Sequence, residues 1–230
     1  MSKKTTLLAL AAVSAAVCVL PAAASANWGV TEVNAEFNGT GGSASLFAAG
    51  EPTITCAGPN TSSGKYNNLG TTGTMDLHFT KCGTTIVFRF PCSTTEKPSS
   101  ETISTKGTFH NVTITEANRR GVLLTPEPIV IKCESVGNSI TVAGFVIGEV
   151  TGIKQSNPCV AVPGVQTFGI NFGTTGSPRT QVHKTTFGHN TEYDLSATTA
   201  GGSPVTAALE ATLTNTFANP SQVTIDCNNP

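Results

Sequence analysis

The sequence predicts an all-β protein, an antiparallel β-sandwich stapled by disulfide bonds, with a flattened β-barrel as the alternative. The chain is rich in threonine, and 23 of its 230 residues are glycine. Threonine favours strands, while glycine favours tight turns. Roughly a dozen short apolar stretches recur along the chain, separated by Pro, Gly and Asn, which is typical of sandwiches and barrels. Several of these stretches end in a cysteine.

The first 26 residues have the features of a secretory signal peptide. Lys3 and Lys4 supply positive charge, residues 7–20 are apolar, and residues 24–26 match the small-residue cleavage pattern. The apolar segment is too short for a membrane helix, and no later stretch approaches the roughly 20 apolar residues that a spanning helix needs. We therefore expect cleavage before Asn27, one domain over residues 27–230, and secretion without a membrane span or lipid anchor.

The charge content argues against a nucleic-acid partner. Charged residues make up 12% of the chain, and the formal net charge is −1. A nucleic-acid-binding protein neutralises phosphates with clustered Lys and Arg, and the sequence contains no such patch.

Three stretches share a pattern in which a proline is followed by a short strand that ends in Ile-x-Cys. They are residues 52–56, 128–133 and 220–227. Side chains alternate between the two faces of a strand, so the Ile and the Cys point the same way. A core-facing Ile therefore places a core-facing thiol at the strand end, where it can bond to a neighbouring strand. The prolines also indicate edge strands, which favours the sandwich over the barrel.

An even number of cysteines remains after removal of the signal peptide, which predicts three disulfides in an exported chain. They are Cys56, Cys82, Cys92, Cys133, Cys159 and Cys227. The first two lie 26 positions apart, and Cys133 and Cys159 have the same spacing. We therefore predict the pairs Cys56–Cys82, Cys133–Cys159 and Cys92–Cys227. A zinc site is the weaker interpretation, because the sequence has no Cys-x-x-Cys.

The clearest predicted strand covers residues 74–80. Met75, Leu77 and Phe79 alternate with polar residues that include Asp76 and His78. Asp76 and His78 are therefore neighbours on the polar face, where they could act as an acid–base pair. The interpretation that we favour is the solvated side of a half-buried sheet.

The densest group of metal-ligand residue types consists of His183, His189, Glu192 and Asp194. A hairpin at residues 188–190 would bring the two imidazoles and two carboxylates together, as in a metal site. The interpretation that we favour is a polar turn on a solvated surface. No cofactor is predicted.

Two further features have a functional and a structural interpretation. Trp28, the only tryptophan, could stack on a sugar, but we favour its packing a terminal strand onto the core. Arg119 and Arg120 at a predicted hairpin tip could contact an anionic partner, but we favour a solvated turn.

Five stretches carry a family resemblance, at residues 37–42, 52–56, 90–92, 120–126 and 146–148. Through them, and through the strand before Cys227, the chain resembles a family of uncharacterised secreted proteins of actinobacteria. The resemblance covers most of the chain after residue 26. It implies export and an all-β fold, and it implies no activity, cofactor or catalytic residue.

The sequence contains no nucleophile elbow, His-Glu-x-x-His, P-loop or EF-hand motif. We therefore expect a non-catalytic secreted protein with a structural or interaction role and a protein or cell-envelope partner. A small-ligand or carbohydrate-binding module is the alternative, although two Tyr and one Trp provide few rings for a sugar platform. The second alternative is a secreted metal-dependent enzyme that uses residues 183–194.

Overall fold

The computed structural model describes residues 28–226, except for residues 33, 68–69, 86–87, 115–118, 135–138, 154–160, 183–194 and 221–222. These residues include a 3-10 turn at Pro98–Ser100, and none of the described helices is long and apolar enough to cross a membrane. The strands are β1 (Gly29–Val30), β2 (Glu36–Ala48), β3 (Ile54–Cys56), β4 (Asn60–Tyr66), β5 (Thr72–Thr80), β6 (Cys82–Thr85), β7 (Arg89–Ser93), β8 (Thr102–Ile114), β9 (Arg119–Pro126), β10 (Ile129–Cys133), β11 (Ser139–Gly144), β12 (Val146–Thr151), β13 (Val162–Pro163), β14 (Thr167–Phe172), β15 (Thr174–Thr175), β16 (Thr180–Gln181), β17 (Leu195–Thr199), β18 (Val205–Phe217) and β19 (Thr224–Asp226).

Most of the described strands form one closed antiparallel ring, and the β2–β18 ladder divides this ring into two smaller ones. Strands β2 and β18 are each 13 residues long and belong to both rings. The first half of β2 pairs with β4 and the second half with β3. In the same way, β18 pairs with β17 through its first half and with β14 through its second. The two rings are therefore stacked end to end along the β2–β18 pair.

We name the two rings after the residues inside them. The aromatic tier runs β2, β4, β5, β8, β9, β12, β14, β18 and back to β2. The disulfide tier runs β2, β3, β6, β7, β10, β11, β17, β18 and back to β2. Apart from β2 and β18, which both tiers share, each strand of one tier corresponds to a strand of the other tier, and the two are the halves of one interrupted strand. Examples are β3 with β4 and β9 with β10. The described residues thus form one eight-position barrel with broken strands.

The interruptions coincide with residues that disturb a ladder. Pro59 separates β3 from β4, and Pro128 separates β9 from β10; proline has no N–H to donate. Lys81, between β5 and β6, and Gly144, at the end of β11, have positive φ angles of 54° and 115°, which take the backbone out of the extended conformation. Pro128 therefore marks a break within a closed ring, at a point where the start of β10 has a ladder on one side only.

The predicted all-β, antiparallel, disulfide-stapled fold is confirmed. Of the two forms considered, sandwich and flattened barrel, the closed rings of hydrogen bonds correspond to the barrel. Because the ring is closed, each of its strands has a hydrogen-bonded neighbour on both sides.

Aromatic side chains fill the aromatic tier. The rings of Phe37, Tyr66, Phe109, Phe168 and Phe217 are buried, and their neighbouring centroids lie 4.9–6.3 Å apart. Several pairs meet edge to face, a favourable geometry for aromatic rings.

A small sheet of β1, β19 and β13 covers the end of the aromatic tier. The backbone N–H of Val30 donates to the carbonyl of Gly70 in the β4–β5 turn, at 2.8 Å. Trp28 is buried, and its Nε1 donates to the carbonyl of Gly121 at 2.9 Å. Trp28 therefore packs a terminal strand onto the barrel, as the structural interpretation predicted.

Two disulfides in the described residues join directly opposite positions of neighbouring strands. Cys56 and Cys82 face each other between β3 and β6. Cys92 and Cys133 face each other between β7 and β10. Ile54 and Ile131, two residues before a bonded Cys, are buried as the Ile-x-Cys pattern predicted.

The Cys56–Cys82 pair agrees with the prediction, and the Cys92–Cys133 pair overturns the other two predicted bonds. Cys133 cannot bond Cys159, nor Cys92 bond Cys227, because the β7–β10 register already places Cys92 opposite Cys133. Cys159 and Cys227 lie outside the described residues.

Candidate functional site

A cavity of about 60 Å³ lies inside the barrel where the two tiers meet. Its wall includes Ile54, Leu77, Ile131 and Val142, which come from four different strands. Among the described residues that line it, all except Ser45 and Thr105 are apolar, if the disulfide-bonded Cys56 is included.

The cavity follows from the sizes of the side chains in the two tiers. Both tiers have the same number of strands, so they enclose similar widths. Large rings occupy the aromatic tier, whereas the disulfide tier contains small buried residues such as Ala44, Cys56, Cys82, Ala197 and Ala207. Small side chains in a ring of this width leave unfilled space.

The barrel wall beside the cavity is incomplete. The ladder between β8 and β9 reaches Gly107 and Pro126, followed by one backbone bond from Glu127 N–H to the carbonyl of Lys106. On the other side, β7 and β10 pair only at their ends, from Lys132 onward. The start of β10 therefore has a ladder with β11 and none with β8.

We call this opening the seam and define it by Thr105, Pro126 and Ile129. All three line the cavity and are partly exposed. The seam therefore brings part of the cavity wall to the outer surface.

A groove of about 610 Å³ lies on the outer surface beside the seam, and we call it the polar groove because most of its lining residues are polar or charged. Its lining includes Thr74, Asp76, Lys106 and Glu127, and also Pro126, which lines the cavity as well. Asp76 and Lys106 lie opposite each other in the β5–β8 register and form an exposed ion pair at 4.0 Å. The groove thus offers hydrogen-bond donors and acceptors at the mouth of an apolar cavity.

Asp76 and His78 both lie on the outer face, as predicted, but each has a partner across the ladder. The Nδ1 of His78 lies 2.7 Å from the Oγ of Ser104, while Asp76 pairs with Lys106. Ser104 and Lys106 are the register partners of these two residues. The arrangement corresponds to the solvated sheet face and not to an Asp76–His78 acid–base pair.

The two arginines of the predicted hairpin tip differ. Arg119 forms an ion pair with Glu149 at 2.6 Å. Arg120 is buried, and burial lowers the pKa of its guanidinium. The prediction of a solvated turn is wrong for Arg120, because strand alternation places it on the same face as the core residues Val122 and Leu124.

The described Trp and Tyr side chains, which could have formed a sugar platform, are buried. Trp28 and Tyr66 each have 1% of their surface exposed. The Tyr66 hydroxyl donates to Oδ1 of Asn111 at 3.4 Å, and burial raises its pKa. Neither ring can stack on a sugar at the surface.

The predicted metal ligands His183, His189, Glu192 and Asp194 lie outside the described residues. Within the described part of the chain, no group of three or more His, Cys, Asp or Glu residues is placed to hold a metal ion. The metal-dependent enzyme stays a prediction.

No protein-family model, curated protein or solved structure matches the chain. The function therefore has to be inferred from the cavity and the groove. Sequence reasoning missed the residues that line the cavity, and the available signal was the small residues Ala44 and Cys56 at core-facing positions.

Proposed function

We propose that the protein is an exported, non-catalytic binding protein that holds a small apolar group in the apolar cavity of the barrel. The observation that supports this function is a cavity of about 60 Å³ with an almost wholly apolar wall. Apolar cavities stay dry and bind apolar molecules; an engineered example of about 150 Å³ takes up benzene or xenon. Other eight-stranded barrels hold one small ligand inside.

Export is supported by the cysteines and by the N-terminal segment. The bonds Cys56–Cys82 and Cys92–Cys133 are of a kind that persists in oxidising compartments. The first 26 residues match a secretory signal peptide. The proposed place of action is the extracellular space or the cell envelope.

The chemistry of the cavity supports binding more than catalysis. Its described polar groups are the hydroxyls of Ser45 and Thr105, and general acid–base catalysis requires a positioned group that exchanges protons near the working pH. The hydrogen-bonded pair of His78 and Ser104 lies on the exposed outer face, where water competes for both side chains.

A structural or interaction role is the second candidate. It is favoured by the two cross-strand disulfides, which lock the tier farther from the terminal β1–β19–β13 sheet. Such a barrel would persist outside the cell and present a polar surface to a protein or envelope partner.

Methyl-detected NMR in buffer equilibrated with propane tests the proposed function. We expect shifts of the methyl groups of Ile54, Leu77 and Val142, and unchanged signals for Ile170 in the aromatic tier. The variant Ala44→Leu, which fills the cavity, should lose the shifts, while Thr212→Leu on the exposed face of β18 should keep them.

A second variant covers the case in which Ala44→Leu does not fold. Val142→Ala enlarges the cavity, and it should strengthen propane binding. Unchanged cavity methyls in the unmodified protein at saturating propane, or shifts scattered over the surface, would contradict the proposed function.

A further inference from the structure

We infer that the ligand is a short-chain amphiphile, with an alkyl group in the cavity and an uncharged, hydroxyl-bearing head in the polar groove. This inference rests on the proposed function of the cavity and names the chemical class that fits the cavity and groove together.

The cavity and the groove meet at the seam. Pro126 lines both. Thr105 lines the cavity, and the next residue, Lys106, lines the groove. Consecutive residues of a strand point to opposite faces, so the step from Thr105 to Lys106 leads from the interior to the exterior. A molecule that crosses the seam has one end among apolar side chains and the other among polar ones.

Passage through the seam breaks no ladder. The first residues of β10 pair with β11 and not with β8. An alkyl chain between Thr105 and Ile129 therefore displaces no ladder hydrogen bond, and the bond that it would compete with is a side-chain one, from Thr105 Oγ1 to the carbonyl of Glu127 at 3.4 Å.

The volume of the cavity limits the alkyl group. A cavity of about 150 Å³ accommodates the six carbons of benzene, so the 60 Å³ available here correspond to about two or three carbons. Longer chains would have to leave part of their length in the groove or in solvent.

The charged side chains of the groove favour an uncharged head group on the ligand. Its described ionisable groups are the carboxylates of Asp76 and Glu127 and the ammonium of Lys106. The ammonium is already paired with Asp76, so an anionic head would meet an excess of negative charge. A polyol can donate to the carboxylates and accept from Lys106, and a groove of about 610 Å³ is in the range of small-molecule sites.

A series of alkyl β-glucosides, from methyl through ethyl and propyl to hexyl, tests the inference in ligand-observed NMR titrations. We expect affinity to rise by about fourfold for each methylene up to propyl, the increment for a buried CH₂, and then to level off. The Ala44→Leu variant should remove the dependence on chain length.

Variants of the groove test the head separately. Lys106→Ala and Glu127→Ala each remove one exposed side chain and should weaken propyl glucoside by about two- to tenfold, the effect of one hydrogen bond. Propane binding should not change. Lys132→Ala is the matched control, since Lys132 forms an ion pair with Glu96 and lines neither the cavity nor the groove, so this variant should bind propyl glucoside normally.

The outcomes separate this inference from the proposed function. Propane shifts together with glucoside affinities that ignore chain length, or that ignore both groove variants, would overturn the amphiphile and leave the cavity as a binding site. Absence of propane shifts would overturn both the amphiphile inference and the proposed binding function of the cavity.

Discussion

Phe37 stands directly opposite Gly64 in the β2–β4 ladder, and its ring occupies the space that a Cβ at residue 64 would fill. Gly73 has the same relationship to Phe109 in the β5–β8 ladder. Glycines opposite large rings explain how the aromatic tier accommodates so many of them, since small residues across from large ones fit the interior of a narrow barrel.

Gly64→Ala should therefore destabilise the fold. The added methyl group forces Phe37 to move within a packed core, and we expect a loss of about 1–3 kcal/mol in the free energy of unfolding, measured by chemical denaturation. Gly42→Ala is the control, since nothing lies within 4 Å of its Cβ position. Equal losses in both variants would show that Phe37 does not depend on the glycine opposite.

Removing either described disulfide should destabilise the barrel. The bonds join residues 26 and 41 positions apart, and loops of this length correspond to about 3–4 kcal/mol in the chain-entropy model. The double variants Cys56→Ala/Cys82→Ala and Cys92→Ala/Cys133→Ala test this in denaturant titrations. A double variant as stable as the parent protein would contradict the bond concerned.

We predict that Cys159 and Cys227 form the third disulfide. They are the two cysteines after residue 26 that remain once the four described ones are paired. Their nearest described strands, β13 and β19, pair with each other, with Val162 opposite Ile225. Non-reducing peptide mapping should recover the two cysteines in one linked peptide; free thiols at either position would disprove the bond.

Stability should decline in alkali because of Tyr66. The phenol titrates near pH 10 in an unfolded chain, and burial raises its pKa in the folded protein. Below about pH 10 the Tyr66 phenol is neutral in both states, and the free energy of unfolding does not depend on it. Above about pH 10 the phenol ionises in the unfolded chain but not in the folded protein, so the free energy of unfolding falls by about 1.4 kcal/mol per pH unit.

Tyr66→Phe should flatten this decline, as seen in denaturant titrations between pH 8 and about pH 11. The same titrations with Tyr193→Phe measure the contribution of the other tyrosine. An unchanged slope in Tyr66→Phe would show that Tyr66 ionises equally in both states.

Strand β5 shows what the sequence could predict. Met75, Leu77 and Phe79 are buried, and Asp76 and His78 are exposed, because alternation is a local property of a strand. The Ile-x-Cys pattern succeeded at Cys56 and Cys133 for the same reason.

The disulfides and the cavity show what the sequence could not predict. Equal spacing found Cys56–Cys82, which lie on neighbouring strands, but it failed for Cys133, whose partner is set by the register of β10 against β7. The cavity depends on the summed volumes of side chains from many strands around a closed ring. A local sequence pattern does not report that total volume.

The most direct test of the proposed cavity site is a crystal structure of the protein under xenon pressure. Xenon is apolar and polarisable, and it enters dry apolar cavities. We predict a xenon atom inside this cavity, in contact with Ile54, Leu77 and Val142. Ordered water or continuous side-chain packing at this position, with no xenon, would contradict it.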